Sequence, residues 1–222
     1  MMRIVFVRHG HPNYKDDCLT DRGHLQAEAA AERLKDEPFA AMYASSCGRA
    51  YETALHIAER HGMEVEKLDF MREIRWGSID EEPIFERGHP WYVADDMVAR
   101  GEDLFTAHYE HNKVVDYAAA VASSFDEWLG GFGYRREGLY YRVERENNDT
   151  ILLASHGGSS SAAMAQLLNL PLPFVCATLR LWFTSVTVIT LNGEAGALVS
   201  PQIEIMNDAR HIMGIGSENV YG

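Results

Sequence analysis

Arg3-Ile4-Val5-Phe6-Val7-Arg8-His9-Gly10 is the stretch that decides the fold. Arg3–Val7 is β-branched and aromatic with no polar alternation, so it predicts a strand buried on both faces, as in a parallel sheet. The apolar run stops at Arg8-His9-Gly10, a cation, an imidazole and a glycine at the strand's end.

Outward from this strand the same pattern returns. After the polar loop His11–Asp17, Thr20 is placed to N-cap a helix over about Arg22–Lys35, with Leu25, Ala29 and Leu34 on its inner face. Met42–Ala44 predicts a short strand that enters Ser45-Ser46-Cys47-Gly48-Arg49. A helix then runs to about His61, with Gly62 as its C-cap glycine, and Val65–Leu68 predicts a third strand. Thr150–Ser155 (TILLAS) is another buried strand, ending in His156-Gly157-Gly158 before a helix over Ser159–Asn169. Thr184–Leu191 and Ala197–Ile205 read as strands joined by the turn Asn192–Gly196. Strands alternating with helices predict an α/β fold, a mostly parallel doubly wound sheet flanked by helices. Residues from about 80 to 148 are rich in aromatics and charges, with helix-like patches at Tyr92–Arg100 and Asp103–Trp128, broken at Gly130–Gly133. They predict a mainly helical insertion within a single domain spanning residues 1–222.

Composition narrows the function. Lys plus Arg total 20 and Asp plus Glu total 33 in 222 residues, so the formal charge is 20 − 33 = −13. An acidic chain is a poor partner for nucleic acid and for anionic membrane, both of which call for a field of Lys and Arg. A small anionic substrate stays allowed, because a few local cations dominate within a pocket. Cys18, Cys47 and Cys176 form neither a disulfide framework nor a zinc motif. The N-terminal apolar run is too short for a signal peptide, and no apolar stretch is long enough to span a bilayer. These features predict a cytoplasmic protein.

Arg8-His9-Gly10, the Ser45–Arg49 turn and His156-Gly157-Gly158 share one topology of strand, polar turn and helix. Ligands in open α/β sheets bind outside the carboxyl ends of the strands, so Arg8, His9, Arg49 and His156 are expected to converge there. Two guanidiniums suit pairs of phosphate oxygens, and backbone N–H groups at the Gly157 turn add to them. Histidine is not needed for positioning, and two of them suggest chemistry, since neutral imidazole is a nucleophile near neutral pH. A leaving alkoxide needs a proton, and Glu73, just after the third strand, is placed to give one.

The chain resembles the histidine phosphatase superfamily, in the branch of cofactor-dependent phosphoglycerate mutases and related phosphatases. The resemblance rests on Val7–Gly10, Leu19–Gly23 with Gln26-Ala27, Ser45-Ser46 with Arg49 and Thr53-Ala54, Arg72–Ile74 with Gly77, and Ser155–Gly158, in family order over about residues 3–160. It implies that His9 is the phosphorylated nucleophile. Arg8, Arg49 and His156 would form the phosphate pocket, and Glu73 would be the general acid/base. It also implies that neither a metal nor another cofactor is used. Asn13, Thr20 and Gly157 are the expected substrate-binding residues.

Departures from the family pattern favour one member type. His11-Pro12-Asn13 replaces the usual Glu-Thr, in a shorter loop. Ser78–Pro83 replaces Trp-Glu-Gly, which makes Glu82 an alternative acid. Ser159-Ser160-Ser161 stands where mutase-like members carry Arg. The expected activity is therefore hydrolysis of a small phosphorylated metabolite. A phosphoglycerate-mutase-type phosphotransferase and a catalytically silent phospho-ligand binding protein are the alternatives.

Simpler roles are expected elsewhere. Glu73 has a structural alternative as an ion-pair partner of Arg72 or Arg75. His108 and His111 have metal-ligand spacing but lie in a Glu-rich solvated stretch. His11 and His24 should be exposed and Cys47 packed, and Asp208–His211 should tie the last segment to the core. Trp91, Tyr92, Phe105, Tyr109 and Tyr117 should form the insertion's core. That insertion would either wall the substrate pocket or build a homodimer interface.

Overall fold

The computed structural model describes residues 1–75, 78–79, 82–83, 99, 101 and 114–215. Its centre is a six-stranded sheet in the order β13-β11-β1-β10-β4-β5. The strands are β1 (Met2–Arg8), β4 (Phe39–Ser45), β5 (Glu66–Leu68), β10 (Thr150–Ser155), β11 (Val186–Leu191) and β13 (Gln202–Asp208), while β2 (Pro12–Asn13) pairs with β3 (Cys18–Leu19) and β6 (Ser78–Ile79) with β7 (Glu82–Pro83) outside it. β1, β10, β4 and β5 are parallel neighbours, whereas β11 runs antiparallel to both β1 and β13.

The unbroken apolar strands have the burial they require. Ile4 and Phe6 of β1, with Ile151 and Leu153 of β10, pack on one face against Phe125 and Leu129 of α3 (Val114–Gly131) and Met164 and Leu167 of α4 (Gly157–Leu168). Val5, Val7, Leu152 and Ala154 face the other way, onto Ala31 of α1 (Asp21–Arg33) and Ala54, Ile57 and Ala58 of α2 (Gly48–His61). Helices on both faces make the sheet doubly wound.

Local signals hold at the helix ends. Thr20 accepts the Gly23 N–H as the N-cap of α1, and Gly62 closes α2 at φ 63°, where a side chain would be strained. The inner face of α1 differs from expectation. Leu34 is buried as expected, but Leu25 is 55% exposed, and the buried positions within α1 are Gly23, Gln26, Ala27, Ala30 and Ala31. Small residues are favoured there because α1 lies close to its neighbours. A Cβ on Gly23 would meet the His11 carbonyl at 2.2 Å.

In its described residues the expected mainly helical insertion is part helix and part sheet. α3 ends at Gly131, and β8 (Tyr134–Glu137) and β9 (Tyr140–Val143) form a hairpin that joins β12 (Leu198–Val199) in a second sheet. The chain reverses at Gly138 with φ 62°, a hairpin-turn conformation that suits glycine. Tyr134, Tyr141 and Val143 are buried in the α3–α4 core, and Tyr117 packs against it. The expected strand Ala197–Ile205 is split, β12 pairing with β9 and β13 with β11. Trp91, Tyr92, Phe105, His108, Tyr109 and His111 lie outside the described residues, as does the Glu82 side chain. Asp208 does tie the last segment down, pairing with Arg33 of α1 at 2.9 Å.

Candidate active site

The parallel register brings four strand ends to one edge. Arg8 of β1 is level with Ser155 of β10, Ala154 with Ala44 of β4, and Ser45 with Leu68 of β5. His9 and His156 follow these ends directly, and Arg49 and Glu73 follow within about five residues, so topology gathers them.

His9 is 1% exposed and His156 fully buried, with ring centroids 5.1 Å apart. The His9 N–H continues the strand ladder onto the Ser155 carbonyl at 2.9 Å. His9 Nδ1 lies 2.7 Å from the Gly10 carbonyl oxygen. A carbonyl only accepts, so Nδ1 carries the proton and Nε2 keeps its lone pair. Burial holds His9 well below the usual histidine range, with His156, Arg8 and Arg49 adding to the effect. Burial does the same to His156, reinforced by Arg49, Arg8 and Arg72. Both rings are therefore neutral near pH 7.

Arg8 donates to the Leu181 carbonyl and lies over the Phe183 ring, 4.3 Å from its centroid. Arg49, 8% exposed, pairs with Asp17 through Nη1, while its buried Nε has no hydrogen-bond partner among the described residues. Asp17 also accepts the Gly48 N–H at 2.8 Å, which supplies the α2 N-terminus with a cap that Cys47 does not provide. Thr53 accepts the Gly10 N–H at 3.0 Å and donates to the Arg49 carbonyl at 2.8 Å, locking the two turns together.

Glu73 takes neither of the ion pairs weighed for it. Its Oε1 accepts the backbone N–H groups of Ile74 at 3.0 Å, Gly158 at 3.0 Å and Ser159 at 3.2 Å. It thus caps α4, directly after His156. Burial pushes the carboxyl up from its usual range, against the pull of Arg8 and the Ile74 N–H. Gly158 makes this approach possible, since a Cβ there would lie 2.5 Å from Oε1.

The three expected substrate-binding residues divide. Gly157 opens α4 beside Arg8, the position of its missing Cβ being 3.7 Å from Nε. Thr20 Oγ1 is engaged by the Gly23 N–H at 3.1 Å and by His11 Nδ1 at 2.9 Å. Asn13 folds its own loop, accepting the Lys15 N–H at 3.1 Å and donating to Asp16 at 2.8 Å.

Sequence reasoning missed Asp17 and Phe183, and it gave Ser45 and Arg72 no function of their own. Phe183 touches His9 and His11, each ring centroid 5.6 Å away. No local motif announces it, because it arrives from a distant loop. Arg72 reaches the Ser45–Arg49 turn by donating to Ser46 Oγ at 3.3 Å. Its position beside Glu73 was the available signal. Among the described residues no group of three or more His, Cys, Asp or Glu side chains could hold a metal ion, and no helix is long and apolar enough to cross a membrane.

Paired neutral imidazoles, two arginines and a buried carboxyl at the carboxyl edge of a parallel sheet define an α/β enzyme that handles phosphoryl groups. The chain belongs to the histidine phosphatase superfamily (branch 1), whose family model matches residues 4–204. It is 30% identical over 188 residues to the glucosyl-3-phosphoglycerate phosphatase of Mycobacterium tuberculosis, covering 76% of each chain. To the 2,3-bisphosphoglycerate-dependent phosphoglycerate mutase of Bartonella tribocorum it is 29% identical over 181 residues, covering 74% of this chain and 80% of that one. The solved structure of a mycobacterial glucosyl-3-phosphoglycerate phosphatase superposes with a TM-score of 0.65 at 25% identity, over 92% of this chain and 98% of the other. The expected α/β fold and the phosphatase class are both borne out.

Proposed function

We propose that the protein hydrolyses a small phosphate monoester through a phosphohistidine on His9. The observation that carries this reading is the Nδ1–Gly10 hydrogen bond, which leaves a neutral His9 with a free Nε2 lone pair beside a second neutral imidazole. Nε2 attacks phosphorus, the ester P–O bond breaks, and protonated Glu73 gives its proton to the departing oxygen. The Glu73 carboxylate then takes a proton from water, the water oxygen attacks phosphorus, and the P–N bond breaks to release phosphate. Arg8, Arg49, His156 and the Gly157 N–H hold the phosphoryl oxygens and oppose charge in the transition state. We assign Thr20 and Asn13 to shaping the loop, because their polar atoms already have partners. We read residues 80–148 as an insertion within a single domain. The three free cysteines fit a reducing, cytoplasmic setting.

A phosphoglycerate-mutase-type phosphotransferase is the second reading. Arg72, a further cation at the same edge, favours it. Intact His9 and Glu73 argue against a silent binding protein.

Wild type and His9→Ala assayed on a panel of alkyl and aryl phosphates test the proposal. Phosphate release by wild type and its loss in His9→Ala are expected. No release from any ester would sink the phosphatase reading, and full activity in His9→Ala would sink the phosphohistidine. Isomerisation stimulated by a bisphosphoglycerate, without net phosphate release, would establish the mutase instead.

A further inference from the structure

Ser45 ends β4, is fully buried, and sits 2.8 Å through Oγ from His156 Nε2. The same Oγ accepts the Cys47 N–H at 3.2 Å, which uses one of its lone pairs. His156 Nδ1 is buried with no hydrogen-bond partner among the described residues. It does not cap α4 either, although His156 occupies the N-cap position.

A neutral imidazole has one N–H, so its location decides what the ring can do. If Nε2 carried the proton, it would donate to Ser45, and the Ser45 O–H would need another acceptor. Among the described residues no other bond to this hydroxyl is found. Nδ1 would then be a buried lone pair beside the phosphoryl site, where it would repel the oxygens it is meant to hold. If the Ser45 O–H donates to Nε2, the hydroxyl is satisfied as donor and acceptor. One group then stays unpaired, an Nδ1–H on the side of the ring away from Ser45.

We infer that Ser45 is a positioning residue that fixes His156 as the Nδ1–H tautomer and so presents an N–H donor to the transferred phosphoryl group. The inference rests on the proposed phosphatase reading for that group's identity, while the tautomer itself can be measured without turnover. A strand end held by β5 on one side and β10 on the other gives the hydroxyl a rigid mount. The arrangement is a second-histidine counterpart of the Gly10 carbonyl, which sets the tautomer of His9. The two devices reach the same tautomer by hydrogen bonds of opposite direction. A carbonyl acceptor protonates Nδ1 of His9 and bares Nε2 for attack, while a hydroxyl donor occupies Nε2 of His156 and leaves Nδ1–H as donor.

NMR of protein carrying 15N-labelled histidine tests this, with the His156 signals identified by their loss in His156→Gln. Near neutral pH the wild-type ring should show a protonated Nδ1 and a bare Nε2. In Ser45→Ala the Nε2–H form should appear, and turnover of an aryl phosphate should fall about 10²- to 10³-fold, the scale of losing one oxyanion donor. An Nε2–H tautomer in the wild type would overturn the inference. So would a Ser45→Ala protein that keeps both the Nδ1–H form and full turnover. The wild-type spectrum decides the tautomer even if alanine destabilises the fold. A wild type that has the Nδ1–H ring but hydrolyses no ester would overturn the phosphatase reading and, with it, the catalytic part of this inference.

Discussion

Asp17 and Arg49 are joined by a direct carboxylate–guanidinium pair, and the same carboxylate accepts the Gly48 N–H at 2.8 Å. An acidic side chain thus occupies a guanidinium and a helix N-terminus at once, both ordinary anion sites. Asp17 is half-exposed at 42%, so the pair is worth no more than about 1 kcal/mol. That is enough to matter when phosphate competes for Arg49. Asp17→Asn keeps an acceptor for Gly48 and removes the charge. Inhibition by inorganic phosphate should become about five-fold tighter, the equivalent of that energy. Unchanged or weaker inhibition would show that the carboxylate orients Arg49 without competing for it.

Gly158 is constrained by the carboxyl it serves. A Cβ there would lie 2.5 Å from both Glu73 Oε1 and Ile74 Cγ1. Gly158→Ala should therefore lose about 1–3 kcal/mol of stability through overpacking. Activity should fall more than about ten-fold, because Glu73 must leave its place over α4. Gly157→Ala is the stability control, since its Cβ would meet Arg8 only at ordinary contact distance, 3.7 Å. Melting curves and kcat measure both effects. A Gly158→Ala protein as stable and active as wild type would contradict the close packing of Glu73 on α4.

The buried histidines make stability pH-dependent. An unfolded histidine binds its proton near pH 6.5. Burial holds His9 and His156 well below that value, and burial with Arg33 brings His211 to about 4. Below about pH 6.5 the unfolded chain binds more protons, so stability is full above that pH and lost as pH falls toward the folded-state values. Each ring contributes a slope of up to about 1.4 kcal/mol per pH unit. Glu73, whose carboxyl is raised by burial, acts in the opposite sense, and three histidines outweigh it. The melting temperature should drop between pH 7 and pH 5, and His156→Gln should flatten that drop. A melting temperature that rises toward pH 5 would mean the imidazoles are not held neutral.

Much of this site was legible because it is built from strand ends. An apolar run that stops at a polar turn marks a parallel strand's carboxyl edge, and the sheet then collects Arg8, His9, Arg49, Glu73 and His156 without further information. The second sheet was less legible. Tyr134–Glu137 and Tyr140–Val143 flank Gly138 at hairpin spacing, but Gly130-Gly131 dominates the reading of that stretch as a broken helix. Leu25 misled for a different reason, since helix periodicity gives an apolar stripe without saying how close the neighbouring element lies. Asp17 and Phe183 left no trace in the sequence. One acts by closing a loop onto α2, the other by returning from a distant segment to lie against His9.

The role of Glu73 can be separated from structural support by leaving-group chemistry. Its Oε1 is held by three backbone N–H groups, so any substitution disturbs the α4 cap to some degree. Such a disturbance would lower the rates of all esters alike. Loss of a proton donor would not, because an aryl oxide departs with little protonation and an alkoxide needs it. Glu73→Gln retains an oxygen to accept the three N–H groups and removes the proton donor. Its loss on alkyl phosphates should be about 10²- to 10⁴-fold, and distinctly smaller on aryl phosphates. The pH profile should agree. Burial raises the carboxyl, so wild type stays protonated to higher pH than an ordinary glutamate and loses alkyl-ester activity as pH rises through that raised value. Glu73→Gln should lack this alkaline decline. Equal losses on both ester types, with the decline retained, would place the proton elsewhere, and Glu82→Gln would be the next variant to assay.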